Sequence, residues 1–259
     1  MGKIFKNFLK KNRYLFVGIL FLIFLFVVLE IYLKIFNVEN YVFPSISEVL
    51  STLVKLLGKK YFYVRLSNTL GRIIICLTLS IIIGVVLGLI GGLNPYFNAC
   101  ITPIMVIFKS IPVLAITLIL LLNFSSQSTP VIIGFMMGTP IIYSSTTFGI
   151  KSIDKDLSEM LKLYKIPFYK KLFKVYVPLS SPSIFNGIET CGGLCIKAVI
   201  SAEILCLTVD SIGRAMQNAS ANMFTDTPIL FAYCLVAIIL SLSFEMIIKV
   251  ITKLLVKWK

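Results

Sequence analysis

One polar stretch, Lys151–Pro182 (KSIDKDLSEMLKLYKIPFYKKLFKVYVPLSSP), interrupts a C-terminal two thirds that is otherwise filled with hydrophobic runs. A helix needs about 20 apolar residues to cross about 30 Å of hydrocarbon, where the backbone must satisfy its own polar groups. Runs of this kind restrict the fold to a helical membrane bundle, and the long polar stretch is where that bundle meets water. Composition agrees. A hydrophobic content of 58% and a mean hydropathy of +0.97 lie well above the roughly 45–50% apolar content of a soluble domain. No polar segment is long enough for a separate core, so residues 1–259 are expected to form a single transmembrane domain.

The predicted spans are 14–35, 69–92, 101–122, 130–148, 183–207 and 228–251. The first follows five basic residues and exceeds the roughly 7–15-residue apolar core of a signal peptide, so it reads as a retained span. Glu30 and Lys34 make an i, i+4 pair near its outer end. In the mixed segment that follows, Ser45 after Pro44 is a cap for a short amphipathic helix through Leu57. Gly84, Gly88 and Gly92 put small residues on one face of the second span, the pattern that lets membrane helices approach closely. Asn94-Pro95 reads as a turn, Pro112 as a break or kink in the third span, and Thr208–Thr227 as an outer loop.

Charge placement sets the orientation. Sixteen Lys and Arg fall before the first span, in Lys151–Pro182 and from Lys249 onward, whereas six lie on the other side and Arg72, Lys109 and Lys197 lie within spans. Both termini are therefore predicted to be cytoplasmic. The net charge of +14 is clustered at span ends, which points to membrane lipid and not to nucleic acid.

Within the polar stretch, Leu157, Met160, Leu161 and Tyr164 recur at i, i+3, i+4 and i+7, one face of a short helix. Acidic residues open it and Lys162 and Lys165 close it, in the order a helix dipole favours. A second amphipathic helix can start at Pro167, with Phe168, Leu172 and Val175 on one face. Two readings are open: apolar faces resting on anionic lipid, or a docking element for another protein.

Chemistry is limited. The chain has no histidine, its six cysteines all lie in or beside apolar runs without a C-x-x-C pair, and it has no phosphate loop. No catalytic residue and no metal site are expected. Ionised side chains in hydrocarbon are costly and face an interior or a water-filled path, so Lys109, Glu189, Lys197 and Glu203 are candidate pathway residues. Structural pairing, of Lys109 with Glu189 or Lys197 with Glu203, is the alternative. Arg72 and Glu245, near span ends, read as snorkelling anchors.

Glu159, Lys165 six residues on, then Pro178 and Pro182, resemble the EAA loop of ABC-importer permeases, which runs E-A-A, three residues, G and later L-P. Met160 and Leu161 stand at the alanines and Lys165 at the glycine. From Thr69-Leu70 and Arg72 through Gly84, Gly88, Gly91-Gly92, Pro103, Lys109 and Pro112, the order is similar to permeases of the nitrate, sulfonate and taurine group. It continues through Gly187, Gly193, Ala202-Glu203, Gly213 and Trp258. Glu189 stands where that group usually has a basic residue, and Thr117 where proline is common.

The resemblance implies an all-α type I importer permease fold with six transmembrane helices and a cytoplasmic coupling helix. It assigns ATPase coupling to Leu157, Glu159, Met160, Leu161, Tyr164 and Lys165, and the translocation pathway to Lys109, Pro112, Glu189, Lys197 and Glu203. It further implies two copies of an ATPase subunit that carry ATP and Mg²⁺, an extracytoplasmic solute-binding protein, a second permease copy as a homodimer or a similar chain in a heterodimer, and a bacterial plasma membrane. The chain itself would bind no cofactor. The implied solute is a small organic or inorganic anion such as an aliphatic sulfonate, taurine or nitrate. Permeases for thiamine-pyrimidine or riboflavin-type vitamin precursors share the fold, and a membrane protein outside the ABC class whose basic loop binds lipid is the remaining reading.

Overall fold

A computed structural model describes residues 43–255, together with positions 17, 18, 20, 21, 24, 27 and 28 of the first apolar run. The Glu30–Lys34 pair, the N-terminal basic cluster, Trp258 and most of the first predicted span lie outside the described residues. Everything regular among the described residues is helical: α1 (Ile46–Leu57), α2 (Lys60–Leu93), α3 (Pro95–Ser110), α4 (Val113–Leu121), α5 (Thr129–Lys151), α6 (Lys155–Leu163), α7 (Phe168–Lys171), a π-helical turn (Leu172–Tyr176), α8 (Val177–Cys206), α9 (Ile212–Ala221) and α10 (Met223–Leu255).

Local chemistry starts these helices, α1 at the expected cap and α3 at Pro95, six residues ahead of the predicted span. Ser45 Oγ accepts the Glu48 amide at 3.3 Å and caps α1. Asn94 Oδ1 accepts the Tyr96 and Phe97 amides at 3.0 and 3.2 Å, with Pro95 at the first turn of α3. Other boundaries move. Helix α2 begins at Lys60, nine residues before the apolar run, because Phe62 is buried beside Ile212, Ala232 and Tyr233 and so fixes the polar first turns. The third predicted span is two helices meeting at 94°. Pro112 pushes Ile111 to φ −71°, ψ 126°, out of the helical region, and α4 turns aside to lay Val113, Ile116 and Leu120 on Ile133, Met137, Ala198 and Ala202.

Pro178 and Pro182 lie inside the long helix instead of ahead of it. Helical structure is continuous from Phe168 to Cys206, with the widened turn at Leu172–Tyr176 immediately before Pro178. Such a turn relieves the clash of a proline ring with the carbonyl four residues back. The predicted outer loop contains α9, whose Ile212, Gly213, Ala215 and Ala219 are buried.

Neighbouring residues fix the helix directions. Gly84, Gly88 and Gly92 lie against Ile142, Thr146 and Ile150 in ascending order, so α2 and α5 are parallel. Gly134 lies by Val199, Gly138 by Cys191 and Cys195, and Gly149 by Ser180 and Ser183, so α8 runs opposite to α5. Glu189 meets Lys249 at 3.0 Å and Gly193 lies by Glu245, so α10 runs opposite to α8. One end of the bundle therefore carries the Asn94-Pro95 turn, the Lys151–Pro182 stretch and the end of α10. The other end carries α1, the start of α2, residues 122–128 and α9.

Helices α2, α5 and α10 are each long and apolar enough to cross a membrane, and the bent α3–α4 pair together is a fourth candidate. Helix α8 is not among them. It carries Glu189, Lys197 and Glu203, and it tolerates them by running through the middle of the bundle between α5 and α10.

Candidate functional site

The polar stretch forms a helical hairpin split by a strained turn. Asp154 Oδ1 accepts the Asp156 amide at 3.0 Å and caps α6. At the other end Lys165 donates its amide to Lys162 O at 3.0 Å and Ile166 donates to Leu161 O at 3.4 Å. This is the bonding of a Schellman cap, and it requires a left-handed residue at Lys165, whose φ is +48°. Lysine thus occupies a conformation that glycine adopts without cost.

The amphipathic face divides. Leu161 is 3% exposed, inside the chain itself. Leu157 is half-buried, and Glu159 is exposed. Met160, Leu163 and Tyr164 face outward, with exposures of 44%, 81% and 76%. Leu163 was not indicated by the i, i+3, i+4, i+7 spacing, since it sits on the polar side of that pattern. The outward surface of α6 is therefore a small apolar patch bordered by Asp156, Glu159 and Lys162.

The intramembrane charges pair differently from either predicted pairing. Glu203 is fully buried, and its Oε1 accepts from Arg72 Nη1 at 2.8 Å. Its Oε2 accepts from Thr69 Oγ1 at 3.0 Å and from the Gly213 amide at 3.1 Å. Thr69 Oγ1 in turn accepts the Ile212 amide at 3.1 Å, and the other Arg72 nitrogen donates to Gln127 Oε1. Arg72 is thus an internal partner and not a snorkelling anchor. The carboxylate receives enough donors to offset its desolvation, and it also sits at the N-terminus of α9, where a negative charge is favoured. Glycine is required at Gly213, because a Cβ there would overlap Glu203 Cβ and the α8 backbone.

Glu189 pairs with Lys249 and not with Lys109. Neither Lys109 nor Lys197 has an ion pair among the described residues. Lys109 is exposed in the last turn of α3, just before the bend, and Pro112 is exposed at the bend itself. Two adjoining cavities between α8 and α10, of about 350 and 400 Å³, share Lys197 and Glu245 in their walls. The first adds Glu189 and Thr190, the second Ser201 and Ser241. Glu245 therefore lines this groove instead of anchoring at a span end. The exposed residues of α8 include Asn186, Thr190, Leu194, Lys197 and Ser201, a largely polar stripe at helical spacing. A third hollow, beside Ser144, Ser145, Ser183 and Asn186, prolongs it toward the polar hairpin. The structure thus brings Glu189 and Lys197 to one groove, while Glu203 belongs to a separate buried network and Lys109 and Pro112 to another element.

Comparison with known proteins adds the context. Residues 80–257 match the model of the family described as binding-protein-dependent transport system inner membrane component. The chain is 27% identical over 183 residues to the bicarbonate transport system permease protein of Synechocystis, covering 70% of this chain and 65% of that one. A Synechococcus elongatus bicarbonate permease matches at 29% over 59% of this chain and 55% of its own. The chain thus spans between half and two thirds of these relatives. The formylaminopyrimidine transport permease protein of Halalkalibacterium halodurans is 25% identical over 93% of this chain and 94% of its own. A family match across more than half of the chain, on a helical membrane bundle, makes this protein a member of the binding-protein-dependent transport system inner membrane component family.

Proposed function

We propose that this chain is the six-span permease subunit of an ATP-driven importer in a bacterial plasma membrane, with both termini in the cytoplasm. Two copies would form the pathway, two ATPase subunits would dock beneath them, and an extracytoplasmic binding protein would deliver the solute. The observation that carries this reading is α6. It projects from the basic end of the bundle and turns Met160, Leu163 and Tyr164 outward, while Leu161 holds it to its own chain. A few apolar anchors ringed by charge are the arrangement in which small contacts carry most of the binding energy. Glu159, exposed beside them, would orient the helix on a basic residue of the ATPase, with Leu157 and the Lys165 turn setting its angle.

The polar stripe of α8 would line the pathway, since charged side chains at membrane depth face water or protein and not lipid. Lys197 lies on it and Glu189 at its edge, with Glu245 opposite, whereas Glu203 would brace it from behind and Lys109 and Pro112 would shape its flank at the α3–α4 bend. The solute would be a small anion of the bicarbonate, nitrate, sulfonate or taurine kind named for the relatives. A vitamin precursor is the second reading, favoured by the groove's mixed charge and by the formylaminopyrimidine permease matching almost end to end.

The test is a pull-down of the cognate ATPase with Leu163→Asp/Tyr164→Asp, beside an uptake assay. Membrane insertion should be normal, ATPase capture lost and uptake abolished, because each aspartate would bring an unpaired carboxylate into the contact. ATPase capture and uptake at the parent level would remove α6 from the coupling role.

A further inference from the structure

The Lys151–Pro182 hairpin carries two surfaces of opposite character, separated by the left-handed turn at Lys165. On the α6 side, residues 154–163 hold Asp154, Asp156 and Glu159 against Lys155 and Lys162. On the α7 side, residues 165–176 hold Lys165, Lys170, Lys171 and Lys174 and no acid at all. Three aromatic side chains stand out among those lysines: Phe168 is 63% exposed, Tyr169 61% and Phe173 69%. Lys170 Nζ lies 6.0 Å from the centre of the Tyr169 ring, so cation and aromatic face the same surroundings.

This segment is the helical continuation of α8, and it makes no extensive contact with any other described helix. Its level in the bundle is fixed by Ser180, which packs beside Gly149 two residues from the end of α5. Phe173 lies seven residues before Ser180, roughly 10 Å along a helix axis. Gly149 lies about 3 Å short of the end of α5, so Phe173 lies roughly 7 Å beyond that end, at the outer part of a headgroup layer that adds about 5–7 Å on each side of the hydrocarbon. Exposed phenylalanine and tyrosine interleaved with lysine, at that depth, have the composition of an interfacial anchor.

We propose that Phe168–Lys174 is a lipid-facing anchor: its aromatic side chains enter the headgroup layer and Lys170, Lys171 and Lys174 engage anionic lipid phosphates. The hairpin thus divides its partners. The mixed-charge α6 is left for protein, and the wholly basic α7 and π-helical turn hold the root of α8 on the membrane surface. Charge complementarity favours lipid, since basic residues next to a span sit beside anionic headgroups, whereas a protein groove would have to supply acid against four lysines. The inference does not depend on the ATPase docking proposed for α6.

The experiment uses the full chain in proteoliposomes, with Trp258→Phe removing its single tryptophan and Phe173→Trp supplying a reporter. Tyr169→Trp serves as a second, independent reporter. Lipids brominated near the headgroup should quench either reporter, and more strongly in phosphatidylglycerol-containing bilayers than in phosphatidylcholine alone. Replacing Lys170, Lys171 and Lys174 by Gln should lower the local preference for the anionic lipid by roughly fivefold for each lysine and erase that difference. Unquenched reporters in both bilayers would overturn the proposal. So would reporters that ignore brominated lipid but change emission when the ATPase binds, which would assign the segment to the protein contact.

Discussion

Arg72 and Glu203, 131 positions apart, meet at 2.8 Å, and that contact ties the N-terminal half of α2 to the end of the central helix α8. Thr69 and the Gly213 amide complete the carboxylate's shell, so the pair is one part of a saturated network. Removing one member strands the other. Arg72→Met should lower stability by about 3–5 kcal/mol, because an uncompensated carboxylate would remain in a site with 0% exposure. The double variant Arg72→Met/Glu203→Met should lose less than the single one. Thermal unfolding in detergent measures these and the single variant Glu203→Met, and a double loss equal to the sum of the two single losses would show that the charges are not coupled.

Lys165 offers the opposite sign. Its φ of +48° costs a side-chain-bearing residue about 1 kcal/mol that glycine does not incur. Lys165→Gly should therefore raise stability by about that amount, and Lys165→Val, β-branched, should lower it below the parent. A glycine variant no more stable than the parent would mean that the lysine side chain compensates its own strain.

Leu161 and Leu163 are two residues apart and should behave differently. Leu161→Ala opens a hole in the chain's own packing and should cost about 2–5 kcal/mol. Leu163→Ala, at a site 81% exposed, should leave folding unchanged within about 0.5 kcal/mol. Its effect should instead be seen in ATPase affinity.

Thr146 is a second internal test. Its hydroxyl is buried and has no hydrogen-bond partner among the described residues, and a Cβ at Gly88 would come within 2.6 Å of its own Cβ. Gly88→Ala should destabilise by about 1–3 kcal/mol through overpacking. Adding Thr146→Ala should leave most of that loss in place, because alanine keeps the Cβ that collides, as read by unfolding or by yield of dispersed protein.

Orientation is checked with an impermeant thiol reagent in a Cys100→Ser background, since Cys100 is exposed. A cysteine at Lys170 should be labelled only from the cytoplasm and one at Lys59 only from outside. Labelling of both from the same side would contradict the helix directions set by the packed glycines.

Much of this architecture was legible in the chain. The alternation of apolar runs and basic ends indicated the bundle, Ser45 marked a helix start, Asn94-Pro95 marked a turn, and the glycine strip on α2 indicated a close seam. What was not legible depended on residues distant in sequence. Arg72 looked like a span-end anchor because nothing local announces a partner on α8. Leu161 and Met160 share a face in the helical pattern, yet one is enclosed by the chain and the other is not, which periodicity cannot distinguish. The start of α2 is polar by composition and helical by packing, since Phe62 is held in a cluster with residues from α9 and α10. The groove at Lys197 and Glu245 joins two helices whose relative rotation no spacing reveals.

The glycine row on α2 limits how this bundle can move. Ile142, Thr146 and Ile150 fill the three notches at Gly84, Gly88 and Gly92 with almost no clearance, so the two helices cannot glide past each other by small amounts. Sliding would have to lift every tooth at once and re-engage a full turn away, about 5.4 Å along the axis. Such a joint behaves as a keyed shaft, and α2 and α5 travel together as one stiff lever. Any rocking of the bundle must then find its fulcrum elsewhere, and the loosely filled seam between α8 and α10 is where that freedom is left.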